Sequence, residues 1–358
     1  MVKNMETIIS FPHMANYYIP AKYLFSHLSN CKVIVAPPIT NKTIELGSKY
    51  SPDFVCTPFK YTLGTLIESL DKGANTLIQF GGGCRYGYYY ALQDKILKDL
   101  GYDFTMINLI TAGKTDIKKI IKTIKKINPK FSLFKGTYYL LISKKMVEYM
   151  DLVDDYIRKN IGFEVEKGSF IKIRDEMLKE FSNIKGYFHL KKIYKKYDNK
   201  IRNIKVNKPH NCLKVGIIGE LYTLMEPFAN YDIEIFLAKK GIEITRFTNV
   251  TYLLFQKQKK VKKYLKELKN IQYKMGADAT DNIYHTEWLC QNNYDGIIHI
   301  KSSFCTPEIA SMGVINKICQ KYGVPVNFFS FDANTSEVGI VTRLEAFVDM
   351  LEMRREHA

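Results

Sequence analysis

Two stretches of this 358-residue chain alternate short apolar runs with longer amphipathic ones, and no other feature constrains the fold as tightly. In the first stretch, residues 7–11, 32–36, 76–80 and 104–109 have the length and β-branched content of buried strands. Helical patterns lie between them, as at 61–72 and 88–100. Strands separated by helices of that length form βαβ units and a parallel sheet. The pattern returns later, with strands expected at 214–218, 242–247, 296–300 and 324–331 and helices at 231–240, 307–322 and 342–355. The expectation is an α/β chain of two doubly wound (Rossmann-like) parallel-sheet lobes, residues 1–113 and 209–358.

The intervening residues 114–208 differ in texture and read as a helical insertion. Ile117, Ile120, Ile121 and Ile124, then Met146, Met150, Val153 and Ile157, recur at helical spacing. The segment carries 25 basic and 11 acidic residues, against 28 and 25 in the rest of the chain, so most of the net charge of +17 sits here. A solvated lysine-rich helical face explains this most simply; a basic surface for an acidic partner or a coenzyme's phosphates is the sharper alternative. Asn207-Lys208-Pro209-His210-Asn211 suits a linker, and 257–269 reads as a second lysine-rich surface helix. No helix-turn-helix, zinc-finger or RNA-recognition signature accompanies the charge, so nucleic-acid binding is disfavoured. No apolar run is long enough to span a bilayer, and residues 1–10 lack the pattern of a signal peptide, which makes the cytoplasm the default compartment.

Seven cysteines without a CxxC pair argue against a disulfide framework and against zinc ribbons. Buried structural thiols, a reactive thiol or metal ligands remain. Three of them share an expected address. Cys56 follows the apolar pair Phe54-Val55, Cys84 follows the strand ending at Phe80, and Cys305 follows the strand ending at Ile300. Each is expected where a strand's carboxyl end turns into a helix, the edge at which open α/β sheets bind ligands. Helix starts offer unpaired N–H groups and partial positive charge, which favour the thiolate, the metal-binding species. Cys56-Thr57-Pro58 is echoed by Cys305-Thr306-Pro307, one tripeptide in each lobe. The Gly81–Gly83 run could instead cradle a phosphate, but it lacks the ending of a P-loop. Cys31, Cys212, Cys290 and Cys319 read as structural.

Among other polar residues, Arg85 could bond a metal-bound sulfur or an anion, or pair with a carboxylate. Glu226 and Glu308 are candidate acid–base groups, although Glu308 could simply favour the helix dipole. Glu337 and Arg343 suit a cap or salt bridge, His13 a satisfied surface histidine, and the aromatic run from Tyr86 to Tyr90 packing around a cleft.

Several motifs, in order, carry a family resemblance: Cys56-Thr57-Pro58-Phe59-Lys60 with Leu63-Gly64, then Gly83-Cys84-Arg85-Tyr86-Gly87-Tyr88-Tyr89. The second lobe adds Gly219-Glu220-Leu221-Tyr222, Glu226-Pro227-Phe228-Ala229-Asn230, Phe304-Cys305-Thr306-Pro307-Glu308 and the stretch from Glu337 to Phe347. With these the chain resembles the acyl-CoA dehydratase activase-related proteins of the 2-hydroxyacyl-CoA dehydratase and double-cubane-cluster superfamily. The resemblance implies a redox-active, oxygen-sensitive iron–sulfur cluster, 4Fe-4S or double cubane, held by Cys56, Cys84 and Cys305. Three thiolates leave one iron open. It also implies low-potential electrons from a separate ATP-dependent activase, an acyl-CoA or other small-molecule substrate, and a homo- or heterodimer. Reductive or radical dehydration-type chemistry is the leading expectation, and a non-catalytic electron-transfer or assembly subunit the alternative. The pattern departs at 276–282, where related chains carry a histidine, and at Ser336, where glycine is usual.

Overall fold

The structure is a computed structural model that describes residues 6–111, 114–115, 117–268 and 271–357. It divides into two compact units, Met1–Met146 and Val147–Ala358.

The first unit is built on strands β1 (Ile8–Ser10), β2 (Lys32–Val33), β3 (Thr76–Gln79) and β4 (Thr105–Asn108), joined by helices α1 (Tyr18–Ser29), α2 (Asn41–Tyr50), α3 (Thr57–Asp71) and α4 (Tyr89–Asp99). The sheet is parallel in the order β2-β1-β3-β4. A hairpin of β5 (Ile110–Thr111) and β6 (Lys114–Thr115) follows, then α5 (Ile117–Ile127). Alternation along the strands splits the core between two faces. Ile9 and Ile78 pack with Phe25 of α1, while Leu77 packs with Leu63, Leu66 and Leu70 of α3 and Leu97 of α4.

Helix α6 (Leu133–Asn160) contains the boundary between the units. The second unit continues with α7 (Ser169–Phe181), α8 (Tyr187–Arg202), β7 (Lys214–Gly219), α9 (Leu221–Met225), α10 (Ile233–Lys239) and β8 (Glu243–Arg246). After these come α11 (Lys257–Glu267), α12 (Ala279–Gln291), β9 (Gly296–Ser302), α13 (Thr306–Tyr322), β10 (Val326–Phe331) and α14 (Glu337–Glu356). Its sheet is parallel, with β10-β9-β7-β8 as neighbours. Counted from each unit's first sheet strand, both sheets read second, first, third, fourth. Each therefore has a topological switch point between its first and third strands, outside the carboxyl ends of β1 and β3 and of β7 and β9. Helices cover both faces here too. Ile298 and Ile300 pack with Leu237, Leu344 and Phe347, and the preceding Ile297 with Ile283, Ile315 and Ile318.

All eight sheet strands expected from the sequence are present, shortened by one to three residues or, at β7 and β9, extended. Phe54-Val55 is not a strand: it lies in a turn after α2, and Phe54 is 75% exposed. The expected helix end at Lys269 lies outside the described residues. The lysine-rich segment is largely helical, and its apolar residues behave differently along its length. On α5 Ile117 is exposed, whereas Met150, Val153 and Ile157 of α6 are buried. Arg158 of α6 bonds Asp155 at 2.6 Å and Glu234 of α10 at 3.0 Å, and Glu234 also holds Arg246 of β8 at 2.7 Å. The second half of α6 is thus stitched into the second unit.

Candidate functional site

In the first unit the thiol of Cys56 meets Tyr89, and Cys84 lies within the electrostatic reach of the same side chain. Cys56 is the N-cap of α3, with extended backbone and Pro58 in the first turn, where a missing N–H costs nothing. Its Sγ meets the hydroxyl of Tyr89, the first residue of α4. Tyr89 stands edge-on to Phe59 at 4.8 Å and tilted against Tyr86 at 5.0 Å. Burial pushes the Tyr89 phenol far above its ordinary value, and neighbouring Cys56 adds to the shift, so the hydroxyl stays protonated. Cys84 raises the same phenol and the Arg85 guanidinium lowers it, which puts both within its field. Cys84 starts the 3-10 turn Arg85–Tyr88, and its Sγ accepts the Tyr86 N–H at 3.4 Å.

The surroundings hold this arrangement. Gln93 of α4 donates to Thr62 Oγ1 at 2.8 Å and accepts from Gln79 of β3 at 2.5 Å, which locks α3, α4 and β3 together beneath the thiols. Gly81 is required by space: a Cβ there would lie 2.0 Å from the Ile110 carbonyl oxygen. Arg85 is exposed. His13 is buried, not a surface histidine; its Nδ1 lies 3.3 Å from the Ala36 carbonyl, and burial lowers its pKa.

In the second unit Cys305 is the N-cap of α13, its N–H donating to the Ser302 carbonyl at 3.0 Å. Three residues on, Glu308 is completely buried. Its Oε2 lies 2.7 Å from His299 Nε2 of β9 and accepts from Asn282 Nδ2 of α12 at 2.8 Å. Asn282 also accepts the Gly219 N–H at 3.2 Å and donates to the Gly219 carbonyl at 3.1 Å. Gly219 has φ +146°, and a Cβ there would sit 1.8 Å from the Ile300 carbonyl oxygen. One carboxylate therefore ties the start of α13 to β7, β9 and α12. Lys301 lies near Cys305, its pKa lowered by burial and partly restored by that thiol.

Glu220 caps α9, accepting the N–H groups of Tyr222 and Thr223 at 2.9 Å each and the Thr223 hydroxyl at 2.7 Å. Burial pushes its carboxyl up to about 7 against the pull of those bonds. Glu226 caps the turn Pro227–Asn230 and accepts the Phe228 N–H at 3.4 Å.

Topology reassigns the tripeptide echo. Cys305 follows the third strand of its sheet and so corresponds to Cys84. Cys56 begins the helix that leads into the third strand, and its counterpart is Asp278, which begins α12. Where the first unit places a thiol, the second places a carboxylate that accepts the Leu221 N–H at 3.2 Å and pairs with Lys257. Lys257 also reaches Asp281 at 2.8 Å. Burial raises Asp281 to about 6 despite that cation. Sequence reasoning missed this cluster, the His299–Glu308 pair and Tyr89 as a thiol partner; only the aromatic run pointed toward the last. Cys290 of α12 and Cys319 of α13 are buried against each other, as structural thiols would be.

The fold and these caps define a two-unit parallel α/β protein with a cysteine beyond the third strand of each sheet. Residues 259–351, from α11 into α14 and including Cys305 and Glu308, match the family model described as 2-hydroxyglutaryl-CoA dehydratase, D-component. That match supports a protein of the 2-hydroxyacyl-CoA dehydratase family, and it lies wholly in the second unit. No curated protein matches the chain. Among the described residues, no three or more His, Cys, Asp or Glu side chains gather in an arrangement that could hold a metal ion. No described helix is long and apolar enough to cross a membrane.

Proposed function

We propose that the chain works as an iron–sulfur protein of the 2-hydroxyacyl-CoA dehydratase type, with Cys56, Cys84 and Cys305 as thiolate ligands. The observation that carries this reading is that Cys56 meets Tyr89 and Cys84 lies within the electrostatic reach of the same side chain, both at helix starts. That donor set fits a thiophilic cluster: both cysteines stand at helix starts, where the partial positive charge favours a thiolate, the Cys84 sulfur accepts a backbone N–H, and the Cys56 sulfur meets a phenol hydroxyl. A bound cluster of this kind supplies one-electron reduction at an iron without a protein ligand.

The chain's own residues then have distinct tasks. Tyr89 orients Cys56 and offers it a proton-bearing hydroxyl. Glu308, fixed by His299 and Asn282, holds the start of α13 and hence Cys305. Arg85, exposed and close to Tyr89, is placed to meet an anionic substrate or docking surface. Glu226 is the remaining acid–base candidate, its carboxylate buried beside a turn. Electrons would come from a separate ATP-dependent activase, the substrate would be an acyl-CoA or related small molecule, and the setting an anaerobic cytoplasm. A second reading, a non-catalytic electron-transfer or assembly subunit, is favoured by the missing histidine at 276–282.

Anaerobic reconstitution tests the proposal. We expect roughly four iron and four sulfide per chain for one cubane, and a paramagnetic signal on reduction. Cys84→Ala should abolish both, whereas Cys290→Ala should leave them. A wild-type chain that binds no iron would remove the proposal. A loaded chain that turns over no acyl-CoA with activase and reductant would select the second reading.

A further inference from the structure

Lys301 stands on β9, one residue before its carboxyl end. It is 5% exposed, yet among the described residues its ammonium makes no hydrogen bond and no ion pair. Glu308, the carboxylate that acts on it electrostatically, turns its Oε2 to His299 and Asn282 instead. Nearby, His299 Nδ1 and Glu308 Oε1 are enclosed without a partner; the Lys301 Nζ is not enclosed and keeps some accessible surface. An ammonium withdrawn from water and given no partner is costly, and an anion from outside the chain would remove that cost. We infer that Lys301 is the counter-charge of the group held by Cys305: its ammonium offsets the negative charge of a thiolate-bound iron–sulfur cluster and raises the potential at which that cluster accepts an electron. The inference rests on Cys305 being a cluster ligand.

Strand register sets the direction of the side chain. Ile297, His299 and Lys301 alternate onto one face of the sheet, where Ile297 packs against α12 and α13. His299 is level with Glu308, since their side chains meet at 2.7 Å. From His299 to Lys301 the strand rises about 7 Å toward its carboxyl end. Because α13 joins the parallel strands β9 and β10, it runs back against β9. Cys305 therefore lies about 4.5 Å nearer that same edge than Glu308 does. Lys301 and Cys305 are brought to similar levels there, close enough for the thiol to act on the ammonium.

Two sources of positive potential then face one sulfur. Helix α13 is 17 residues long and no side chain caps its N-terminus, so its dipole and first N–H groups point past Cys305. Pro307 withholds one of those N–H groups. Lys301 adds a full charge beside them. A cation near a redox centre stabilises the reduced, more negative state. The step itself is the transfer of one electron from the reductant to the cluster; no bond forms at Lys301, and its proton stays in place.

The full-length chain is reconstituted anaerobically as wild type, Lys301→Met and Lys301→Arg. Iron and sulfide are measured, and the midpoint potential is read from a redox titration followed by the paramagnetic signal. We expect equal iron and sulfide in all three. Lys301→Met should move the one-electron equilibrium about tenfold toward the oxidised form, a midpoint lower by about 59 mV. Lys301→Arg keeps the charge and should move it less than about threefold. Before loading, Lys301→Met should unfold at a higher urea concentration than wild type, because an unpaired buried charge has gone. A lysine that served only the fold would give the opposite change. Equal potentials in wild type and Lys301→Met, or a lower urea midpoint for that variant, would overturn the inference. Should Lys301→Met hold less iron, Lys301→Arg decides: restored iron supports the counter-charge, and iron lost from both variants overturns it. A wild-type chain without iron removes the cluster reading and this inference with it, whereas a loaded chain whose potential ignores Lys301 removes this inference alone.

Discussion

At the scale of single residues, the second unit concentrates its risk in a few buried polar groups. Glu308 is the clearest. With His299 and Asn282 it forms a buried trio, and none of the three can be rescued by solvent. Glu308→Ala strands the His299 imidazole and removes one of the bonds of Asn282, and should cost roughly 2–4 kcal/mol in urea unfolding of the whole chain. Glu308→Gln keeps an acceptor for Asn282 and should cost clearly less; equal losses for both variants would mean that the bonds contribute little. His285 makes a second prediction, about pH. Its folded-state pKa of about 3 lies below the ordinary 6.5, so the unfolded chain takes up a proton that the folded chain refuses. The associated stability is complete above pH 6.5 and is lost as pH falls toward 3. Glu220 and Asp281 work in the opposite sense, since their raised values favour the folded state at low pH and that advantage is lost by about pH 7 and 6 respectively. The wild-type curve therefore mixes both trends. The difference between wild type and His285→Phe isolates the histidine: the variant should lose less stability between pH 7 and 4, by roughly a few kcal/mol at about 1.36 per pKa unit. Parallel curves would show that His285 is not held neutral.

At the scale of elements, the position of Cys56 depends on how closely α2 and α3 approach. Gly47 and Gly64 make that approach possible: a Cβ at Gly47 would lie 1.8 Å from the Lys60 carbonyl oxygen, and one at Gly64 2.0 Å from that of Thr43. Neither obstacle is a flexible side-chain end. Gly64→Ala must part the helices, at a cost on the order of 2–3 kcal/mol, and should change the rate at which the Cys56 thiol reacts with a disulfide reagent. An unchanged melt and reaction rate would mean that the helices part freely. The strands were legible in the sequence because buried parallel strands need unbroken β-branched runs, and all eight stand where those runs do. The turn before Cys56 was misread because Phe54-Val55 is too short a run to distinguish a strand from two exposed apolar residues. The Cys-Thr-Pro echo was also real but local. It reports a cap and a first helical turn, which recur wherever a helix starts, and says nothing of which strand the helix follows. The three cysteines could be chosen from sequence as helix caps. Tyr89 beneath Cys56, and Glu308 against His299, depend on distances across the fold that no local pattern encodes.

At the scale of the whole molecule, the charge pattern and the packing divide the chain at different places. Composition marks 114–208 as one segment, because basic residues outnumber acidic ones there by 25 to 11. Packing places the unit boundary inside α6, after Met146. The residues beyond it are committed to the second unit: Arg158 is held by Glu234, Asp151 accepts the N–H of Thr251, and Gly162 packs so closely on α10 that a Cβ would lie 2.6 Å from the Ala238 carbonyl oxygen. A chain of residues 209–358 keeps the complete second sheet but loses all of these partners. It exposes the side of α10 that receives Gly162 and leaves Glu234 and Arg246 to each other. Residues 147–358 retain every one of them. We expect the longer piece to unfold in one cooperative transition with dispersed amide resonances, and the shorter to be expanded, to bind a hydrophobic dye and to melt without a sharp midpoint. If 209–358 melts as sharply and as high as 147–358, α6 to α8 contribute nothing to the second unit, and the lysine-rich segment folds as a separate body.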